Sequence, residues 1–303
     1  MATRNIVPRA NGEGSIGTSS KAWGGIFTGK VNGYDLTSTP TASAIPRADE
    51  NGKLDVWVRN GGECYLTLSG SNLLLSRCYG RRLIIDDAVQ IIPEAGVTLA
   101  STGVANTTYY IYAPIVSGAM ILEASITAYT PDDRNGFMVK SGDVTRALVG
   151  MARTDANGAW VDNAKQRFVL SYYNRNYLML DAQYAVSGEI SSADATNPIM
   201  ISAAKQLEFL SWGAEGLLVS FFVNVKVNAT PGAFARIYMD GLNVAHLPVY
   251  TPTVNAYISN AATFGVFVSD AGYHYLDARG LAWTGTVATW DAYWTTITGG
   301  IWG

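Results

Sequence analysis

Four tryptophans, Trp283, Trp290, Trp294 and Trp302, fall in the last twenty-one residues of a 303-residue chain, close to Tyr273, His274, Tyr275 and Tyr293. Flat aromatic rings set among Asp, Asn and His are a usual means of gripping sugars: the ring covers the apolar C–H face and the polar groups take the hydroxyls. The same rings also suit a sandwich core or a subunit interface, and the sequence leaves both roles open. As a group, Trp283, Trp290, Trp294, Tyr273, His274 and Tyr275 are the candidates for glycan binding.

Other chemistry finds no support. Gly12-Glu13-Gly14-Ser15-Ile16-Gly17 matches the loose G-x-G-x-x-G pattern, with Asp35 eighteen residues on. That pattern holds a pyrophosphate only between a strand and a helix N-terminus. Here it follows Pro8-Arg9-Ala10-Asn11 and precedes Thr18 to Gly25, which cannot run as a helix, so no nucleotide cofactor is expected. His246 and His274 are the only histidines, 28 residues apart, and neither has a partner at zinc-ligand spacing, so no metal is expected. Asp86-Asp87 and Asp132-Asp133 are adjacent carboxylates; neighbours on a strand face opposite ways, and the second pair sits in a turn. Nucleophile-elbow and phosphate-loop patterns are absent. We expect no catalytic residues and no enzyme, although a carboxylate pair assembled from distant strands leaves no trace in spacing.

The elements that must position these residues are strands. Charged residues make up 15% of the chain and hydrophobic ones 48%, with 31 Gly, 17 Tyr and 8 Trp, which excludes disorder and coiled coil. No run approaches the roughly 20 apolar residues of a membrane helix, and Met1 to Asn5 lacks a signal peptide's apolar segment, so no membrane insertion is expected. Net charge is −3, unevenly placed: residues 1–60 hold seven Lys/Arg against five Asp/Glu, 61–180 ten against ten, and 181–303 four against nine. Without clustered cations the C-terminal part is a poor nucleic-acid binder. Cys64 and Cys78, fourteen apart, could form one disulfide, but nothing places the chain in an oxidising compartment, and free thiols are expected.

Three sections follow. In residues 1–60, short apolar clusters such as Ile6-Val7, Ile16, Trp23 and Ile26-Phe27 are broken every few residues by Gly, Asn, Ser, Thr or Pro, with no helical period. Such a segment cannot bury its apolar groups alone; it stacks on copies of itself or docks on a host protein. Residues 61–180 read as short strands bounded by turns, including Tyr65 to Leu68, Arg82 to Ile85, Thr107 to Ala113, Ala147 to Arg153 and Phe168 to Tyr173. In 181–303, Val219, Phe221, Val223, Val225 and Val227 point one way; Ala235, Ile237 and Met239 alternate with Arg236, Tyr238 and Asp240, and the two runs are expected to form a hairpin. Met200 to Phe209 is the only helix candidate. The fold class expected is all-β: an extended N-terminal trimeric β stalk followed by two antiparallel, jelly-roll-like β-sandwich domains, at 61–180 and 181–303.

Ile6-Val7-Pro8-Arg9-Ala10-Asn11-Gly12-Glu13-Gly14-Ser15-Ile16-Gly17-Thr18-Ser19-Ser20-Lys21-Ala22-Trp23-Gly24 resembles the opening of many tailed-bacteriophage fibre, spike and appendage proteins. Ala44 to Asp49 with Gly52 to Val58 looks like a second phrase of that group, and Tyr109 to Ala113, Leu148 to Thr154 and Ser171 to Asn174 are similar to a β-domain of phage virion proteins. Gly272-Tyr273-His274-Tyr275 with Thr284-Gly285-Thr286 is similar to their C-terminal domains. The resemblance implies a homotrimeric virion tail fibre, assembled in the bacterial host cytoplasm. Its N-terminal segment would attach to other phage virion proteins through Ile6, Ile16, Trp23, Ile26 and Phe27, and its distal sandwich would recognise a host-surface polysaccharide. The alternative is a purely architectural capsid decoration, collar or baseplate protein without a receptor.

Overall fold

The computed structural model describes residues 30–31, 34–37, 45–46, 61–182, 189–230, 232–250 and 253–303. The chain separates into two units, residues 1–60 and 61–303. In the first, Lys30–Val31 pairs antiparallel with Tyr34–Thr37, which pairs parallel with Ile45–Pro46. The attachment candidates Ile6, Ile16, Trp23, Ile26 and Phe27 lie outside the described residues, as does the glycine motif at 12–17.

The second unit is all-β; among its described residues the sole helical turn is a 3₁₀ turn at Ala203–Lys205. Its longer strands are β1 (Cys64–Ser69), β2 (Asn72–Arg77), β3 (Thr108–Ala113), β4 (Asp143–Arg153), β5 (Tyr177–Asp181), β6 (Leu207–Trp212), β7 (Glu215–Val227), β8 (Gly232–Met239), β9 (Leu242–Tyr250), β10 (Ile258–Val268), β11 (Ala271–Ala282), β12 (Ala288–Asp291) and β13 (Thr296–Trp302).

The C-terminal part is sandwich-like. One sheet, the front sheet, runs β6, β11, β8, β9; the other, the back sheet, runs β5, β13, β7 and β10, with β12 beside the far end of β7. Alternation drives the pairing: Leu217, Val219, Phe221, Val223, Val225 and Val227 of β7 are buried with Ala233, Ala235 and Ile237 of β8 and Leu276 and Ala278 of β11 in one core. The expected hairpin between Val219–Val227 and Ala235–Met239 does not form. Both runs are apolar on one face, and they bury those faces against each other from opposite sheets rather than side by side. The hairpin partner of β8 is β9, joined through Asp240-Gly241 with φ of 51° and 81°, the left-handed pair a two-residue hairpin turn requires, and β11 pairs with its other edge.

Three further expectations change. Met200 to Phe209 is not helical: after the 3₁₀ turn, Leu207 onward pairs with β11, which places Leu207 and Phe209 in the core. Asp86-Asp87 is not part of a strand; with φ of 50° and 57° it closes the turn between Arg82–Ile85 and Ala88–Ile91. The expected boundary at 180/181 falls inside β5, which pairs with the C-terminal β13. The reason lies in β3 and β4. Tyr109, Ile111, Ala113 and Val149 face a local core with Leu66, Leu73 and Leu83, while Tyr112, Leu148 and Met151 belong to the large C-terminal core. A sheet buried on both faces cannot be parted from its neighbour without exposing one of them.

Candidate functional site

The six aromatic and histidine candidates separate on folding. Trp290 is fully buried in the core, and His274 is 8% exposed, its Nδ1 2.7 Å from Asp240 Oδ2 and its Nε2 3.0 Å from the Asp270 carbonyl oxygen. Neither can stack on a ligand, so both leave the surface set; strand alternation turns them inward. Trp294 is 47% exposed and packs edge-on against Tyr293 in the turn between β12 and β13 of the back sheet. The buried Lys205 ammonium donates to the Tyr293 carbonyl at 3.3 Å and pins that turn.

Trp283, Tyr273 and Tyr275 are carried by the front sheet. Tyr273 donates its hydroxyl to Glu208 Oε1 at 2.6 Å and lies 4.0 Å beneath the Arg153 guanidinium of β4. Burial and the bond to Glu208 push its phenol pKa upward. Gln166 also donates to Glu208, at 2.8 Å. Tyr273 therefore ties the front sheet to β4 rather than offering a free platform.

The outer face of β9, β8 and β11 gathers a set of side chains that sequence reasoning did not assemble. At one end, Trp283 stacks on Phe234 with ring centroids 4.9 Å apart and planes 19° off parallel, and Tyr250, 63% exposed, tilts against Trp283 at 6.3 Å. Two residues from Phe234 on β8, and four from Tyr250 on β9 and from Trp283 at the end of β11, come His246, Arg236 and Arg279, directly opposite one another across the three strands. Next lie Tyr238 and Asp277, also opposite each other. Arg279 donates to both Asp277 oxygens, at 2.7 and 3.1 Å, and its guanidinium lies 4.3 Å from the Tyr238 ring centre. The β8 alternation already placed Arg236 and Tyr238 on one face; strand order alone supplied their neighbours.

The back sheet presents a different outer face. Tyr177 stands opposite Trp302, Met179 opposite Gly300, Leu218 opposite both Gly300 and Gly265, and Phe267 opposite Gly216. Tyr177, Met179, Leu218, Phe267 and Trp302 are each between 48% and 64% exposed. Gly216 and Gly265 leave open space between these side chains, the Tyr177 ring covers Gly300, and Ser220, Thr263, Thr296 and Thr298 border a shallow hollow beside them.

Among the described residues no group of three or more His, Cys, Asp or Glu side chains could hold a metal ion, and no helix is long and apolar enough to cross a membrane.

No family model matches the chain, and no curated protein matches it. Solved structures similar to it include the insecticidal delta-endotoxin Cry8Ea1 from Bacillus thuringiensis, 11% identical over 80% of this chain and 51% of that one at a TM-score of 0.27. The VP2 subviral particle of infectious bursal disease virus is 11% identical over 67% and 58% of the two chains at 0.28. Dimeric latent PorU from Porphyromonas gingivalis is 12% identical over 66% and 20% at 0.30. The chain thus spans from 20% to 58% of these proteins' lengths, and no function is carried over from them.

Proposed function

We propose that the chain is a structural virion protein of the tailed-bacteriophage fibre type: homotrimeric, attached to the particle through residues 1–60, and holding a host-surface glycan on the front sheet's outer face without chemical turnover. The observation that carries the glycan assignment is the juxtaposition there of an aromatic shoulder, Trp283, Phe234 and Tyr250, with the polar row His246, Arg236 and Arg279. Apolar ring faces beside hydrogen-bond donors match the two-sided surface of a sugar. The mechanism is avidity: three weak sites on one rigid assembly raise affinity by about 10²–10⁴ over one site.

The back sheet's apolar face supports self-association. Exposed apolar patches beyond a few hundred Å² mark interaction sites, and five large, half-exposed apolar or aromatic side chains share this face. Its occupant in this reading is a second copy of the chain.

The test replaces Trp283 and Tyr250 by Ala in the full chain and measures adsorption to host cells together with oligomeric mass by light scattering. Lost adsorption with an unchanged mass supports recognition. A loss of mass instead favours the architectural alternative, in which these rings lie between subunits. A chain lacking residues 1–60 should stay folded, since 61–303 has its own core, yet fail to join particles.

A further inference from the structure

We propose that Arg236 and Arg279, with His246 at the edge of the row, form a site for the carboxylate of an acidic sugar, so that the glycan is anionic. The inference rests on the glycan-binding reading above and adds the ligand's charge. Arg236 of β8 stands directly opposite Arg279 of β11, and like charges in that relation destabilise a sheet. One carboxylate serves the pair, and it serves only one member: Asp277, fully buried, gives both oxygens to Arg279. Arg236 makes no hydrogen bond or ion pair among the described residues, and its Nε is buried without a partner.

Placement makes this more than a stray surface arginine. Residues 181–303 contain just four Lys or Arg against nine Asp or Glu. Of those four, Lys205 is buried and donates to a backbone carbonyl, and Lys226 is paired with Glu189 at 3.0 Å. The remaining two stand opposite each other on adjacent strands with the single carboxylate of Asp277 beside them, which leaves a net positive charge at one place in an otherwise acidic section and gives an anionic chain somewhere to settle. A planar guanidinium meets a carboxylate through two parallel N–H donors, and Arg236 retains that fork unengaged. Phe234, the nearer ring of the stack with Trp283, lies two residues from Arg236 along β8, about 7 Å in extended backbone, which suits a pyranose ring lying toward the aromatic shoulder while its carboxylate reaches the row.

The full-length protein is titrated calorimetrically with uronate and nonulosonate oligosaccharides, their carboxyl-reduced counterparts, and sulfated oligosaccharides of equal length. Wild type, Arg236→Gln, Arg236→Lys and Trp283→Ala are compared, with a melting temperature for each. The acidic sugars should bind at least tenfold tighter than the reduced ones. Arg236→Gln should lose about tenfold to a hundredfold for the acidic sugars only, the range for a lost charged hydrogen bond. Arg236→Lys should recover part of that loss. The Arg236→Gln melting temperature should not fall, because the change removes one of two opposed like charges; a merely structural arginine would lower it. Equal binding of acidic and reduced sugars, unchanged affinity in Arg236→Gln, or a preference for sulfate overturns the carboxylate assignment, and leaves the glycan reading standing if Trp283→Ala still weakens both. Absence of binding by every sugar, or a silent Trp283→Ala, overturns both.

Discussion

The indole of Trp290, on β12 of the back sheet, lies against the backbone of Gly280 on β11 of the front sheet, so closely that a methyl group at 280 would meet ring atoms at 2.3 Å. This contact crosses the sandwich and fixes the spacing of its two sheets at the centre of the core. Gly280→Ala is therefore an overpacking substitution, and we expect it to lower stability by about 1–3 kcal/mol. Trp290→Ala, which empties the same place, should cost about 3–5 kcal/mol. Urea denaturation midpoints check both; an unaltered midpoint in Gly280→Ala would mean that the sheets are free to part.

Asp277 is wholly buried and answered by Arg279, whereas Arg236, opposite Arg279, has no such partner. Arg279→Gln leaves a buried carboxylate without its cation and should cost about 3–5 kcal/mol. Arg236→Gln should be neutral or stabilising by about 0.2–1 kcal/mol. The opposite signs, read from thermal melts of the two variants, distinguish the arginine that holds the sheet from the one left for a ligand.

Burial lifts the Asp162 carboxyl to about 6, although Arg167 at 3.5 Å and the amide of Phe168 at 3.1 Å pull the other way. An acid whose folded pKa lies above its unfolded value of about 3.9 binds its proton more tightly in the folded state. Its contribution is therefore most favourable below about pH 4, falls as pH rises through 4 to 6, and reaches its full penalty, on the order of 3 kcal/mol, above 6. Asp162→Asn should gain stability over the parent at pH 7.5 and lose that advantage at pH 4. Paired denaturation curves at the two pH values measure the difference, and an advantage independent of pH would show that charge is not its source.

Cys64 and Cys78 are free thiols, the first fully buried and the second partly exposed. Burial pushes the Cys64 thiol up to about 12, which removes the nucleophilic thiolate at neutral pH. Timed alkylation with iodoacetamide, followed by mass spectrometry, should label Cys78 first and Cys64 only on unfolding. Rapid double labelling in the native protein would contradict this packing.

Leu218 and Phe267 are 57% and 64% exposed on the back sheet, and each faces a glycine on the neighbouring strand. Leu218→Glu and Phe267→Glu disturb no core contact, so each should fold with an unchanged circular dichroism spectrum. If copies meet through this face, the oligomeric mass should fall in both. A full-sized oligomer carrying both charges would move the interface elsewhere.

Strand content and the inward residues of β7 were legible in the sequence, because alternation in β7, broken on the outer face by Leu218 and Phe222, still favours the assignment that buries Val219, Phe221, Val223 and Val225. Residue types also showed which end of the chain is rich in rings. Alternation says which way a side chain points but not which strand lies beside it. For that reason the expected hairpin failed, and Trp290, chemically indistinguishable from Trp283 in the sequence, went to the core. Partnership depends on strand order and register, which long-range packing decides: β11 brings Arg279 and Asp277 to a strand forty residues earlier and sets Arg279 against Arg236. The row that could hold a charged sugar is thus a property of the sheet, since none of its members is near another in the chain except Arg236 and His246, joined by the Asp240-Gly241 turn.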